Sequence, residues 1–142
     1  MSDAPDRLLP NIDRDSAPFW DGLRVGEIRV QRCAACGTYR WPARAICNRC
    51  RSFDARWVPL TGTGTVKSWT RTHQIFSRMF EADVPYTNVL VQLDEQEDIQ
   101  MIGRFATSGM EPLPGMRVRA VVTPVTDEIS LLLWEPLPGD TP

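Results

Sequence analysis

The second half of the chain, from Val66 onward, has a β pattern throughout, in short apolar-rich runs of strand length. The runs are rich in β-branched residues and are separated by polar or proline- and glycine-containing turns. They predict five strands, at residues 66–72, 87–93, 99–105, 117–124 and 129–134. Because no helical pattern of helix length interrupts them, we predict a small closed barrel, and the OB-fold is the five-stranded barrel that fits.

A short helical arm is predicted near the N-terminus. Residues 15–18 (Asp-Ser-Ala-Pro) are typical of a helix start, with a capping side chain and a proline near the first turn. Gly22 and Gly26 predict that the helix stops soon. Phe19 and Trp20 would cover one side of it, and core or subunit packing is favoured over ligand contact for them because aromatic side chains bury a large area.

The segment between the arm and the barrel carries weaker patterns. Residues 27–32 and 38–41 predict two short strands on either side of a turn, and residues 53–60 predict an extended bridge into the barrel. The Thr-Gly-Thr-Gly-Thr stretch at 61–65 lacks a G-x-x-x-x-G-K-[ST] pattern and a following helix, so a sharply bent barrel strand is favoured over a phosphate loop.

All four cysteines of the protein lie in two C-x-x-C pairs, and these are Cys33, Cys36, Cys47 and Cys50. Two such turns facing each other supply four thiolates at the corners of a tetrahedron, the arrangement that Zn²⁺ prefers. Gly37 follows the first pair, where the turn needs a residue that tolerates positive φ, and Arg51 holds the corresponding place after the second. We predict one structural zinc ion per chain, on which a ribbon of this size depends for its folding.

Other chemistry for the cysteines is less favoured by the sequence. A redox dithiol normally uses one C-x-x-C beside a βαβ pattern, which the sequence lacks, and two disulfides require an oxidising compartment. The same four thiolates would also bind a single iron, so ligand type alone leaves iron open. A four-thiolate zinc has no open coordination position and cannot activate water.

Charge is unevenly distributed although the net charge is only −2. Between Arg24 and Arg56 there are eight arginines and two acids, and the only lysine of the protein is Lys67. Arginine forks suit phosphate and carboxylate groups, so the cysteine segment is a candidate anion-binding surface. No apolar run reaches the length needed to cross a bilayer, and the first residues lack the pattern of a signal peptide, so we expect a cytoplasmic protein with no membrane partner.

The segment 73–86 interrupts the strand pattern of the barrel. It carries apolar side chains at Ile75, Phe76, Met79 and Phe80, which are hard to bury in so small a barrel and therefore indicate a partner or ligand surface. A short helix that covers one mouth of the barrel is an equally weighted alternative.

The sequence offers little for catalysis. His73 is the only histidine, and a surface or interface position is favoured for it over a catalytic base because no nucleophile is paired with it. The carboxylates of the 94–98 turn are predicted to form a solvated hairpin tip and not a general acid pair. We therefore expect no independent enzyme activity.

Several motifs together resemble a known family. They are F-W-x-G-L at 19–23, Q-R-C-x-x-C-G at 31–37, the second C-x-x-C, G-x-G at 62–64, Pro-Tyr at 85–86, V-Q-L-D at 91–94 and P-G-M-R-V at 114–118. In this order they resemble the zinc-ribbon plus OB-fold family associated with acyl-CoA, known as domain of unknown function thirty-five. The resemblance covers residues 10–136.

The resemblance implies a mainly β architecture with a helical arm, a rubredoxin-like zinc ribbon and a C-terminal OB barrel. We assign residues 1–26 to a tail and the arm, 27–58 to the zinc ribbon, 59–136 to the OB-fold and 137–142 to a flexible tail. The resemblance also implies a non-catalytic companion subunit of a thiolase-like enzyme of lipid or steroid breakdown, with a hydratase as a further candidate partner and acyl-CoA bound through a hetero-oligomeric complex.

Two functions are therefore compared. In the favoured one, the chain associates with such an enzyme and helps to bind or channel the acyl-CoA. The candidate ligand or partner surface consists of Phe19, Trp20, Arg44, Arg49, Arg71, His73, Ile75, Phe76, Arg78, Met79, Phe80 and Tyr86. The alternative is a single-stranded nucleic-acid module, because OB barrels with basic grooves and stacking aromatics bind single strands, but the barrel strands carry few basic residues.

Overall fold

The computed structural model describes residues 8–139, so residues 1–7 and 140–142 of the two predicted tails lie outside the described part of the chain. The fold is mainly β, as predicted, with one α-helix, a three-stranded sheet and a closed five-stranded barrel. The elements, in chain order, are α1 (Ala17–Arg24), β1 (Arg29–Cys33), β2 (Tyr39–Arg40), β3 (Ala55–Pro59), β4 (Thr63–Thr72), a 3-10 turn (Arg78–Phe80), β5 (Tyr86–Leu93), β6 (Gln100–Phe105), β7 (Arg117–Pro124) and β8 (Ser130–Pro136).

The barrel has the strand order β4-β5-β6-β8-β7 and closes where β4 pairs with β7. All five predicted strands are present, and β7 has the predicted bounds. Strand β4 begins three residues before the predicted start, at Thr63 instead of Val66, because Gly64 lies in the closure and pairs with both β5 and β7. A Cβ atom there would lie 2.3 Å from the carbonyl oxygen of Gln92, so only glycine allows this approach of the two strands.

The cysteine segment forms a three-stranded sheet in the order β2-β1-β3. The interpretation of residues 53–60 as an extended bridge into the barrel is incomplete, because β3 lies within this stretch and pairs along its whole length with β1, from Ala55 opposite Cys33 to Pro59 opposite Arg29. This pairing gives partners to the backbone N–H and C=O groups on the second edge of β1, which would otherwise be unsatisfied. The side chains of β3 alternate only weakly between buried and exposed, so the sequence pattern did not reveal the strand.

Helix α1 begins at Ala17 and ends at Arg24, and Phe19 and Leu23 are buried on its inner side. The predicted cap is misplaced, because the Ser16 side chain makes no cap hydrogen bond. Instead the Asp13 carboxylate accepts a hydrogen bond from the Ser16 N–H at 2.7 Å, and the Asp13 carbonyl accepts one from the Ala17 N–H at 2.9 Å. A side chain three residues upstream thus orders the entry to the helix.

One apolar core joins the three parts of the molecule. It includes Phe19 and Leu23 from α1, Ile28 and Val30 from the ribbon side, and a barrel interior that surrounds the fully buried Trp134. The barrel contributes alternate inward residues of β5, which read buried at every second position. The helix and the ribbon therefore pack on the barrel through shared side chains.

The turn between β5 and β6 fastens the ribbon to the barrel. The Tyr39 N–H donates to Gln96 Oε1 at 2.9 Å, and Gln96 Nε2 donates to the Tyr39 carbonyl at 3.0 Å. At the base of the turn, Asp94 binds the Arg117 guanidinium through two contacts of 2.5 and 2.6 Å. The predicted hairpin tip is exposed to solvent at Asp94, Glu97 and Asp98, and the fold in addition brings distant donors to Asp94 and Gln96.

Among residues 8–139, no helix has the length and apolar content needed to cross a membrane.

Candidate functional site

The two cysteine turns have the same backbone geometry. The N–H of Gly37 donates to the Cys33 carbonyl at 3.0 Å, and the N–H of Arg51 donates to the Cys47 carbonyl at 2.9 Å. Gly37 has φ of 75° and Arg51 has φ of 65°, so both turns use the positive-φ position that the sequence predicted. Two equivalent turns therefore present their cysteine pairs to each other.

The four sulfur atoms converge in one cluster. The Sγ atoms of Cys33 and Cys50 lie 3.5 Å apart, those of Cys36 and Cys47 lie 3.7 Å apart, and all four lie within 4.8 Å of one another. A tetrahedral ion with metal–sulfur bonds of about 2.3 Å requires sulfur–sulfur separations of about 3.8 Å. The cluster can therefore hold one metal ion with four thiolate ligands.

The electrostatics of the cluster favour a cation. The Thr38 hydroxyl lies 3.2 Å from Cys36 Sγ, and this contact together with the Thr38 backbone lowers the pKa of Cys36 to about 6. At Cys50 the Ser52 backbone lowers the pKa, but the neighbouring Cys33 sulfur and burial outweigh it and raise the pKa of Cys50 to about 12. A divalent cation at the centre removes this mutual repulsion between thiolates.

The loop between β4 and β5 presents apolar side chains to solvent. Phe76, Ile75 and Met79 are 73%, 47% and 44% exposed. A single 3-10 turn, Arg78–Phe80, begins where the Met79 N–H donates to Ser77 Oγ at 3.4 Å. The loop therefore contains one 3-10 turn instead of a longer helix over the barrel mouth. Three large apolar side chains remain accessible.

The end of this loop is fixed to the barrel. Arg104 Nη1 on β6 donates to Asp83 Oδ2 at 3.0 Å, and the Arg104 guanidinium carbon lies 4.4 Å from the centre of the Tyr86 ring. The Tyr86 ring lies 6.5 Å from that of Phe80. The half-buried part of the loop is thus held against the barrel while its tip is exposed.

An apolar cavity of about 460 Å³ lies between α1 and the barrel. Helix α1 and the residue after β2 form one wall through Phe19, Trp20 and Trp41, and the loop contributes Phe80. Strands β6 and β8 form the opposite wall. The rings of Phe19 and Trp41 lie 4.5 Å apart, which closes the ribbon end of the cavity.

The predicted surface residues fall into three places. Phe19, Trp20 and Phe80 meet at the cavity, and Phe19 is buried there, not exposed. Arg44 and Arg49 lie on the ribbon beside smaller polar pockets that also include Asn48 and Asp98. The remaining members are on the loop and its strand ends, and they are Arg71, His73, Ile75, Phe76, Arg78, Met79 and Tyr86.

Sequence reasoning missed the barrel wall of the cavity. It consists mainly of Met101, Ile102 and Arg104 on β6 and of the three consecutive leucines 131–133 on β8. Two signals were available. Ile102 is apolar at an outward position of an alternating strand, and three leucines in a row leave β8 without a polar face. Which element covers those faces follows only from the packing of α1.

A zinc-ribbon module joined to an OB barrel is the class of protein that this fold and cysteine cluster define. Family models for the ChsH2 rubredoxin-like zinc ribbon domain and the ChsH2 C-terminal OB-fold domain match residues 20–55 and 57–123. The solved structure titled "Ltp2-ChsH2(DUF35) aldolase" covers 90% of this chain and 98% of its own, with a TM-score of 0.80 and 31% identity. The chain therefore belongs to the DUF35 family of ChsH2-type zinc-ribbon and OB-fold proteins.

Two curated relatives carry functional names. A 3-oxo-4,17-pregnadiene-20-carboxyl-CoA hydratase alpha subunit of Mycobacterium tuberculosis is 35% identical over 93% of this chain and 41% of its own length. A DUF35 domain-containing scaffold protein of Methanocaldococcus jannaschii is 29% identical over 68% of each chain. The chain spans less than half the length of the hydratase alpha subunits that it matches.

Proposed function

We propose that this chain is a non-catalytic accessory subunit that associates with a thiolase-like enzyme of lipid or steroid breakdown and helps to bind its acyl-CoA. The observation that carries the proposal is the loop between β4 and β5. Its tip exposes Ile75, Phe76 and Met79 beside the polar Gln74 and Arg78, and the loop is anchored at its base by Asp83 and Arg104. An accessible apolar group on a fixed base is typical of a protein interface.

The relatives support this choice of partner. The solved relative with 31% identity is titled as an aldolase that contains ChsH2, and the archaeal relative is named a scaffold protein. A hydratase subunit is a further candidate partner, since other relatives bear that name. Such an assembly is a hetero-oligomer, and in this proposal the ribbon arginines Arg44 and Arg49, which line small polar pockets, would bind the CoA phosphates.

For the metal centre we propose one structural zinc ion held by Cys33, Cys36, Cys47 and Cys50. Four thiolates at the observed spacing fit zinc in a closed shell. Such a site supplies folding free energy and no open position for a substrate. In this proposal residues 27–58 form the ribbon that the metal folds, and residues 59–136 form the barrel that carries the partner loop.

The test is association with the partner enzyme. We expect Phe76→Asp combined with Met79→Asp to weaken co-purification with a co-expressed thiolase-like protein by at least about tenfold, because each carboxylate must be desolvated in the interface. The matched control is Leu113→Asp, an exposed leucine in the β6–β7 connection, which should leave association unchanged.

Two results would contradict the proposal. The first is recovery of no acyl-CoA enzyme with the wild-type protein. The second is salt-sensitive binding of a single-stranded oligonucleotide, which would favour the nucleic-acid module. For the metal, elemental analysis should give one zinc per chain, and stoichiometric iron would overturn the zinc assignment.

A further inference from the structure

The cavity between α1 and the barrel lies beside the point where the pairing of two strands ends. Strands β6 and β8 pair in parallel through Arg104 with Leu133 and Phe105 with Trp134. Gly103 and Leu132 come next in this register, followed by Ile102 and Leu131, which line the cavity. The short ladder between β6 and β8 therefore ends beside the cavity, and apolar side chains border it.

Close packing at Gly103 holds β6 against β8 beside the cavity. A Cβ atom at Gly103 would lie 2.7 Å from Trp134 Cδ1 and 3.0 Å from the Leu132 carbonyl oxygen. Trp134 is fully buried in the barrel interior and so cannot move aside without disturbing the core. The position of β6 at the edge of the cavity is therefore fixed by the core of the barrel.

The remaining walls border the cavity on two further sides. Trp20 and Phe19 of α1 and Trp41 after β2 cover it on one side, and Phe80 of the anchored loop covers it on another. Its volume of about 460 Å³ falls within the range of small-molecule sites, roughly 300–1,000 Å³. Aromatic walls of this kind give a ligand a large contact area with little loss of side-chain freedom.

The lining defines the class of ligand. Apart from Ser16, Arg104 and Thr123, every lining residue is hydrophobic. The charge of Arg104 is balanced by Asp83, so the site does not require a charged ligand and selects for an apolar body. Since an apolar cavity of about 150 Å³ takes up benzene, about 460 Å³ suits roughly eighteen carbons.

We propose that this cavity is a lipid-binding pocket of the chain itself, which takes one apolar body of roughly eighteen carbons, as an acyl chain or as fused rings. The proposal deepens the proposed function and rests on it for its biological meaning, since the lipid would be the apolar part of the acyl-CoA. The proposal assigns different roles to two surfaces. The exposed loop tip contacts the partner protein, and the apolar cavity between α1 and the barrel contacts the lipid.

The experiment uses the full-length, zinc-loaded protein and cis-parinaric acid, an eighteen-carbon fluorescent fatty acid. Trp20 and Trp41 line the cavity, so saturable energy transfer from tryptophan to the probe reports binding, and the cavity variants locate it. We expect one probe per chain. Palmitic acid and androstenedione are the competing chain and fused-ring lipids, and displacement by one of them identifies the preferred form, whereas hexanoic acid should compete poorly because it fills little of the volume.

Two variants locate the binding site. Ile102→Glu places a charge at the mouth of the cavity, and Thr123→Trp reduces its volume; both positions are exposed, so the barrel tolerates the changes. Each should weaken binding about tenfold or more, because a carboxylate or a filled volume opposes an apolar ligand. Leu113→Glu, at a leucine that is 51% exposed and outside the cavity, should bind the probe like wild type.

Absence of saturable uptake by the wild-type protein overturns the proposal, as does wild-type affinity in both cavity variants. Expulsion of the bound probe when the partner enzyme assembles would also overturn it, because the partner would then fill the cavity. Co-purification is scored separately with the same variants, which should retain the partner. If the protein binds the probe but recovers no partner enzyme, the result contradicts the proposed function and leaves the lipid-binding pocket unaffected.

Discussion

The ribbon and the barrel reach order by different means. The ribbon has a three-stranded sheet in which β2 contains two residues, and its four cysteines converge on one point. The barrel has five strands closed around fully buried Val66, Val91, Val118 and Trp134. A sheet as small as the ribbon buries little apolar surface of its own, so the proposed metal would supply folding free energy that the barrel obtains from its core.

Removal of one metal ligand tests this difference most strongly. We expect Cys47→Ser to abolish ordered folding of the ribbon, since structural zinc contributes on the order of 10 kcal/mol to such a module. Hydrogen exchange should show lost protection in β1–β3 and retained protection in β5 and β7. Ala45→Ser, an exposed change in the same loop, serves as the control. Equal loss of protection in both modules would show that the barrel also depends on the metal.

The connection between the two modules gives the second prediction. Gln96→Ala removes both hydrogen bonds to the Tyr39 backbone and leaves part-buried groups unpaired, at an expected cost of about 1–3 kcal/mol. Denaturant unfolding followed by tryptophan fluorescence and by zinc release should then separate into two transitions. Gln74→Ala, in the exposed loop, should leave them coincident. A single transition in Gln96→Ala would mean that the shared apolar core alone couples the modules.

The smallest effect concerns the pH dependence of the barrel. The Arg117 guanidinium, with a further hydrogen bond from Thr63, lowers the pKa of Asp94 to about 2. Because the folded pKa lies below the unfolded value of about 3.9, the contribution is present above about pH 4 and is lost as the pH falls toward 2. Solvent screening limits it to about 0.2–1 kcal/mol.

We therefore expect Asp94→Asn to lower barrel stability slightly at pH 7 and to flatten its decline between pH 4 and pH 2. Thermal unfolding across this range measures both effects. Asp127→Asn, at an exposed carboxylate in the β7–β8 turn, should follow the wild-type curve. An unchanged pH profile for Asp94→Asn would exclude a stabilising role for this ion pair.

Local signals in the sequence were sufficient for the barrel strands and for the cysteine turns. The β-branched run at 117–124 predicted β7 with its observed bounds, and Gly37 and Arg51 occupy positions whose φ values are positive as predicted. These features depend on neighbouring residues along the chain, so a linear pattern is enough to reveal them. The exposure of the apolar tip at Phe76 was not decided by such signals, because a short helix over one mouth of the barrel was an equally weighted alternative.

Features that depend on distant segments were decided by the tertiary structure. Strand β3 is ordered by the free edge of β1, Gln96 finds its partners on Tyr39, and Asp94 finds Arg117 across the barrel. The cavity likewise forms only because α1 packs beside the point where the pairing of β6 with β8 ends. Sequence alone determined the two cysteine pairs, the five barrel strands and the family; only the fold decided which apolar faces meet, because burial is set by contacts between segments far apart in the chain.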